Sequence, residues 1–244
     1  MNIFQGAYDF WRPNKYKLQP YLLDDGKKHP FALICPGGSY AMVCSCIEGL
    51  PIAKELNKRG YHAFVLYYRV KSKAKYPNPQ LDVKRALEEI REHAEEWNVD
   101  MNGWALFGSS AGGHLAASYC LEDGPKPSCL VLSYPVISMG EYTERNTKKN
   151  LIGLDASQAM IDKLSVEKHI QKGYPPTFVW FGTADKIVDI KNGEMFHGAC
   201  LDADVPCVFK IYEGVAHGVG LAKKTSAENW LNEAISFWKA RQQN

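Results

Sequence analysis

No apolar run in the 244 residues approaches the roughly 20 that a bilayer-crossing helix needs. The opening Met1-Asn2-Ile3-Phe4-Gln5-Gly6 lacks the basic stretch and apolar core of an export leader. Neither a membrane anchor nor export is therefore expected. Charge of one sign is not in excess: 29 Lys and Arg against 27 Asp and Glu leave a net +2, so no polyanionic partner is implied. The one basic cluster, Lys71-Ser72-Lys73-Ala74-Lys75, reads as a solvated loop and not as a nucleic-acid patch. Cys44-Ser45-Cys46 lacks the paired spacing of a zinc site. Seven cysteines, an odd number with no leader, point to free thiols in a reducing cytoplasm rather than to a disulfide framework. Repeats and low-complexity tracts are lacking too.

What is there is an apolar share of 45% beside 23% charged residues, which suits one α/β domain over residues 1–244. Runs of β-branched and aromatic residues at 31–35, 62–69, 104–107, 129–134, 177–181 and 208–212 predict strands. Between them, 47–59, 80–97, 111–121, 191–201 and 225–241 carry apolar residues at spacings of three and four and predict helices, the first stopped by Gly60. This alternation predicts three layers, a mostly parallel central sheet with helices on both faces, joined by right-handed crossovers. One or two antiparallel edge strands are expected around 16–23. Residues 137–173 are polar and poor in strand signals, and are read as an excursion over the sheet's carboxyl edge with a short helix at 156–164. It either forms a small cap or part of a pocket, or is an ordinary crossover with long loops.

The stretch Phe107-Gly108-Ser109-Ser110-Ala111-Gly112-Gly113-His114 is a G-x-S-x-G match placed between a predicted strand and a predicted helix. A serine on such a turn stands clear of the sheet, which makes Ser110 the candidate nucleophile. In an open α/β sheet the site gathers beyond the carboxyl ends of the strands, and three other loops lie there. Pro36-Gly37-Gly38-Ser39-Tyr40 has a backbone free to turn amides toward a developing oxyanion. Gly182 to Asp189 offers two carboxylates, Asp185 and Asp189, and loop position favours Asp185. Glu213-Gly214-Val215-Ala216-His217-Gly218 offers His217. A serine hydroxyl needs a base and imidazole titrates near neutrality, so His217 is the candidate base and Asp185 the group that orients it. The order Ser, Asp, His is the one that accompanies a G-x-S-x-G elbow. His114, four residues into the elbow helix, points along the packed helix and is read as a packing residue or as one that supports the site's own residues from behind.

With these residues in place the sequence resembles the α/β-hydrolase superfamily from about Phe31 onward. The stretches Cys35-Pro36-Gly37-Gly38-Ser39-Tyr40, Glu48-Gly49-Leu50-Pro51-Ile52-Ala53, Tyr76-Pro77-Asn78-Pro79 and Gly112-Gly113-His114-Leu115-Ala116 are similar to the small bacterial acetyl-esterase and xylan-esterase-like branch. In those relatives the loop after the third strand reads H-G-G-G or H-G-G-x, and its later amides join the amide after the serine as an oxyanion hole. Carried over, the donors are the amides of Gly38, Ser39 and Ala111, with Pro36 where the relatives have histidine.

The resemblance implies a serine carboxylesterase that hydrolyses short esters, acetyl foremost, of acetylated sugars among others, through an acyl-enzyme on Ser110 and without a cofactor or metal. The expected partner is a small-molecule ester, with no nucleic acid and no membrane, and no signature decides between monomer and homo-oligomer. A peptidase, amidase or lactonase on the same fold is the alternative, and a non-catalytic scaffold the remoter one. Trp11, Tyr40 and Tyr142 are expected at the surface, as ring-stacking or packing groups.

Overall fold

The computed structural model describes residues 15–242. Seven strands form one sheet in the order β1-β3-β2-β4-β5-β6-β7. They are β1 (Lys17–Tyr21), β2 (His29–Cys35), β3 (His62–Tyr67), β4 (Val99–Ser109), β5 (Cys129–Ser133), β6 (Thr177–Gly182) and β7 (Cys207–Tyr212). β1 runs antiparallel to β3 and every other pairing is parallel. β3, β5 and β6 are buried at every position, as strands covered by helices on both faces are.

Among the described residues eight α-helices accompany the strands: α1 (Ser45–Glu48), α2 (Leu50–Asn57), α3 (Asn78–Glu92), α4 (Ser110–Tyr119), α5 (Arg145–Leu151), α6 (Gln158–Lys163), α7 (Lys191–Asp202) and α8 (Trp230–Lys239). The helix expected at 47–59 is two helices. Gly49, at φ −118° and ψ −83°, breaks the spiral and turns Glu48 inward. The helix expected to reach residue 97 stops at Glu92, where His93 stacks on Trp97 with ring centres 4.5 Å apart and Trp97 packs on Phe64 at 5.6 Å. Tertiary packing overrides propensity there. The last helix begins at Trp230, five residues later than its periodicity suggests. The N-terminal edge holds one antiparallel strand where one or two were expected.

The connection from β2 leads to β3 on one side, whereas the chain from β4 onward adds strands on the other. The direction therefore reverses at the β2–β4 pair, and a crevice opens at the carboxyl ends of strands where connections part in this way. The register sets Cys35 beside Gly108, so the loop after β2 and the turn after β4 share that crevice. Gly182 lies beside Tyr212, which brings the loops after β6 and β7 together next to it.

Candidate active site

β4 ends at Ser109 in extended conformation, and the chain reverses at Ser110, whose φ is +52°, the residue on which α4 begins. That left-handed conformation is strained for a residue with a Cβ. It is held by contact from both sides: the Val136 amide donates to the Ser110 carbonyl at 3.0 Å, and Gly112 is so close to β2 that a Cβ there would lie 2.0 Å from the Cys35 carbonyl oxygen.

The structure brings Ser110, His217 and Asp185 into one line. Ser110 Oγ is 2.9 Å from His217 Nε2, and His217 Nδ1 is 2.7 Å from Asp185 Oδ2. A carboxylate accepts, so Nδ1 carries the proton and Nε2 is free to accept from the serine. Oδ1 of Asp185 accepts the amides of Ile187 and Val188 at 2.8 and 3.0 Å, which fixes the carboxylate's plane. Its side chain is 2% exposed against 14% for His217. Asp189, the other carboxylate of that loop, is exposed, and its Oδ1 accepts the Lys191 amide at 2.9 Å at the start of α7. It takes no part in the line.

Three successive residues of the loop after β2 have positive φ: Gly38 at +125°, Ser39 at +53° and Tyr40 at +54°. A Cβ on Gly38 would lie 2.3 Å from the Met42 carbonyl oxygen, so only glycine fits. The Gly37 amide is engaged, donating to Glu48 Oε2 at 2.8 Å. The amides of Gly38 and Ser39 have no protein acceptor among the described residues. Ala111, in the first turn of α4, has no acceptor within its helix. These three amides are the ones available to an oxyanion.

Segment 137–173 is bonded to this loop. Asn150 donates to the Ser39 carbonyl at 2.8 Å. Glu144 caps α5, accepting the Asn146 and Thr147 amides and the Thr147 hydroxyl, contacts that pull its pKa below the usual carboxylate value against the opposing effect of burial. The short helix of this segment is Gln158–Lys163, narrower than the expected 156–164.

Tyr40, expected at the surface, is fully buried. Its ring packs on Tyr68 and its hydroxyl lies 3.0 Å from His114 Nδ1, so it braces the loop from behind and cannot stack on a ligand. Tyr142 is half-buried, and Trp11 lies outside the described residues. His114 is fully buried; its Nε2 is 2.8 Å from the Leu164 carbonyl and so carries the ring proton. Burial pushes its pKa down to about 4, leaving a neutral strut between the loop after β2 and segment 137–173.

Two residues of the site escaped the sequence reading. Tyr134 directly follows β5 at φ +38°, and its ring centre is 4.7 Å from that of His217. Its position just beyond a strand's carboxyl end was the available signal. Glu48 is 3% exposed and accepts the Tyr134 hydroxyl at 2.8 Å, and nothing in the local sequence marks it for burial. Among the described residues no group of three or more His, Cys, Asp or Glu converges as metal ligands, and no helix is long and apolar enough to cross a membrane.

Residues 22–126 match the family model described as BD-FAE. The chain is similar to an acetyl ester-xyloside bifunctional hydrolase from Caldicellulosiruptor lactoaceticus, with 32% identity, a TM-score of 0.86, and 94% of this chain and 89% of that one covered. It is 29% identical to endo-1,4-beta-xylanase B of Butyrivibrio fibrisolvens over 94% of this chain and 40% of that protein. Over 83% of this chain and 44% of the other it is 29% identical to an acetylxylan esterase of Xylanibacter ruminicola. It thus spans less than half the length of these two curated relatives.

Proposed function

Because the chain belongs to the esterase-like α/β-hydrolases, we propose that it is a serine carboxylesterase acting on short-chain esters, acetyl esters foremost, with acetylated sugars as the natural alcohol side. The observation that carries this reading is the line from Ser110 Oγ through the imidazole of His217 to Asp185, at 2.9 and 2.7 Å. It is the arrangement that makes a hydroxyl nucleophilic near neutral pH.

In the proposed cycle Ser110 Oγ attacks the ester carbonyl carbon while His217 Nε2 takes its proton. The carbonyl oxygen gathers negative charge and is met by the amides of Gly38, Ser39 and Ala111. His217 then gives the proton to the departing alcohol, and an acyl-serine remains. Water enters, His217 takes its proton, the oxyanion forms again, and the acid leaves with Ser110 restored. Asp185 keeps its charge throughout and holds the imidazolium. Serine, imidazole, carboxylate and water complete the cycle. Cleavage of a glycosidic bond, by contrast, ordinarily uses two facing carboxyl groups, and Asp189 is engaged by the Lys191 amide at the start of α7.

Short acyl chains are favoured because 137–173, the segment beside the oxyanion loop, carries only short helices, of seven and six residues, with no long apolar face for a lipid chain. The names of the similar acetylxylan esterase and acetyl ester-xyloside hydrolase support acetyl as the acyl group. Seven free thiols suit a cytoplasmic setting.

The test is hydrolysis of p-nitrophenyl esters from acetate to decanoate by wild type and Ser110→Ala. Turnover is expected to fall steeply with chain length, and the variant, folded, to lose about 10⁴-fold or more. Hydrolysis by Ser110→Ala at the wild-type rate would overturn the reading.

A further inference from the structure

One buried carboxylate touches the loops that the proposed reaction uses without belonging to its triad. Glu48, the last residue of α1, is 3% exposed. Its Oε2 accepts the Gly37 amide at 2.8 Å and its Oε1 the Tyr134 hydroxyl at 2.8 Å. That hydroxyl accepts in turn from the Gly220 amide at 3.1 Å, three residues beyond His217. The Tyr134 ring lies against the imidazole, centres 4.7 Å apart and planes at 57°. The loop after β2, the residue after β5 and the loop after β7 are thus tied to one side chain.

We propose that Glu48 is the positioning residue of this site: by engaging the Gly37 amide it leaves those of Gly38 and Ser39 to meet the ester oxygen, and through Tyr134 it fixes the ring of His217 with a negative charge behind it. This rests on the serine-esterase reading. Burying a carboxylate is costly, and two hydrogen bonds offset only part of the cost. An apolar side chain of the same volume would serve packing alone. The charge finds its use when His217 becomes an imidazolium, the moment at which a fixed anion nearby lowers the barrier.

Both oxygens of Glu48 accept from donors, as those of an ionised carboxylate do. Burial raises its pKa, while Tyr134, the Gly37 amide and His217 pull it back toward the ionised form. Cys44, Cys46 and Tyr68 also face it; burial pushes Cys44 up to about 11, and Cys46 and Tyr68 upward as well. Tyr134 is raised by burial and by Glu48 itself. All four stay neutral where esters are turned over. His217 faces Asp185, Glu48 and Tyr134, so deleting the Glu48 charge leaves Asp185 as its one anionic neighbour among these.

Glu48→Gln keeps the volume and one acceptor oxygen but removes the charge. On p-nitrophenyl acetate a folded variant is expected with kcat lowered about tenfold or more, KM within about threefold, and the acid limb of the kcat/KM profile moved to lower pH, since an imidazolium deprived of a nearby anion releases its proton more readily. Wild-type kcat, or a lowered kcat with an unmoved acid limb, overturns the proposal; with Ser110→Ala still inert, either result leaves the esterase reading standing. Should Glu48→Gln not fold, Tyr134→Phe decides, because it cuts the same link from the other end. A fall in kcat at constant KM supports the proposal, and wild-type kcat overturns it. Full activity in Ser110→Ala would remove the esterase reading and the proposal together.

Discussion

Asp185 holds His217 with one oxygen while the protein's own backbone holds the other. Oδ2 is 2.7 Å from Nδ1 of the imidazole, and Oδ1 accepts two amides of its own loop. The carboxylate cannot rotate away from the ring without giving up both.

Asp185→Asn should therefore leave the geometry nearly intact and present an amide that favours the wrong tautomer of His217, lowering kcat by about 10⁴-fold. Asp189→Asn, at a residue whose carboxylate only accepts the first amide of α7, should stay near wild type, because asparagine serves such a position as well as aspartate. Comparing turnover of the two variants on p-nitrophenyl acetate checks the assignment; equal losses would reject it.

The loop after β2 supports a second prediction. Gly38→Ala places a Cβ 2.3 Å from the Met42 carbonyl oxygen at a φ of +125°, so the loop must shift and its amides with it. Loss of an oxyanion donor is expected, about 10² to 10³ in kcat, with a stability loss of about 1–3 kcal/mol. Denaturant melts alongside kinetics separate the two effects, and wild-type kcat in a destabilised variant would place the oxyanion amides elsewhere.

His114 predicts how stability depends on pH. Burial pushes its pKa down to about 4 from an ordinary 6.5, so the unfolded chain takes up a proton that the folded protein refuses. Its contribution is complete above about pH 6.5 and is lost progressively as pH falls toward 4, by about 3 kcal/mol in all. Unfolding free energies measured between pH 7 and 4 should show this slope, and His114→Gln should flatten it; an unchanged slope in the variant would assign the acid sensitivity to other groups.

The parallel strands were legible because burial on both faces leaves continuous apolar runs, as at His62–Tyr67 and Cys129–Ser133. β4 begins earlier than its apolar stretch because His29 and Pro30 pair with Val99 and Asp100, a partnership formed across seventy residues of sequence. Ser110 was legible for the opposite reason: its signal is a local turn. Glu48 was not, since its burial depends on Tyr134, 86 residues away. Tyr40, polar-tipped and in a glycine-rich loop, looked like a surface ring until His114 supplied a buried partner for its hydroxyl.

The conformation of Ser110 also sets the chemistry against the fold. At φ +52° a glycine would relax the turn and a serine strains it, by about 1–3 kcal/mol. The position where the backbone asks for hydrogen is the position where the proposed reaction needs a hydroxyl. Selection for heat resistance alone would drift toward the residue that abolishes turnover, so a thermostable form of this protein has to find its gains at residues remote from the elbow.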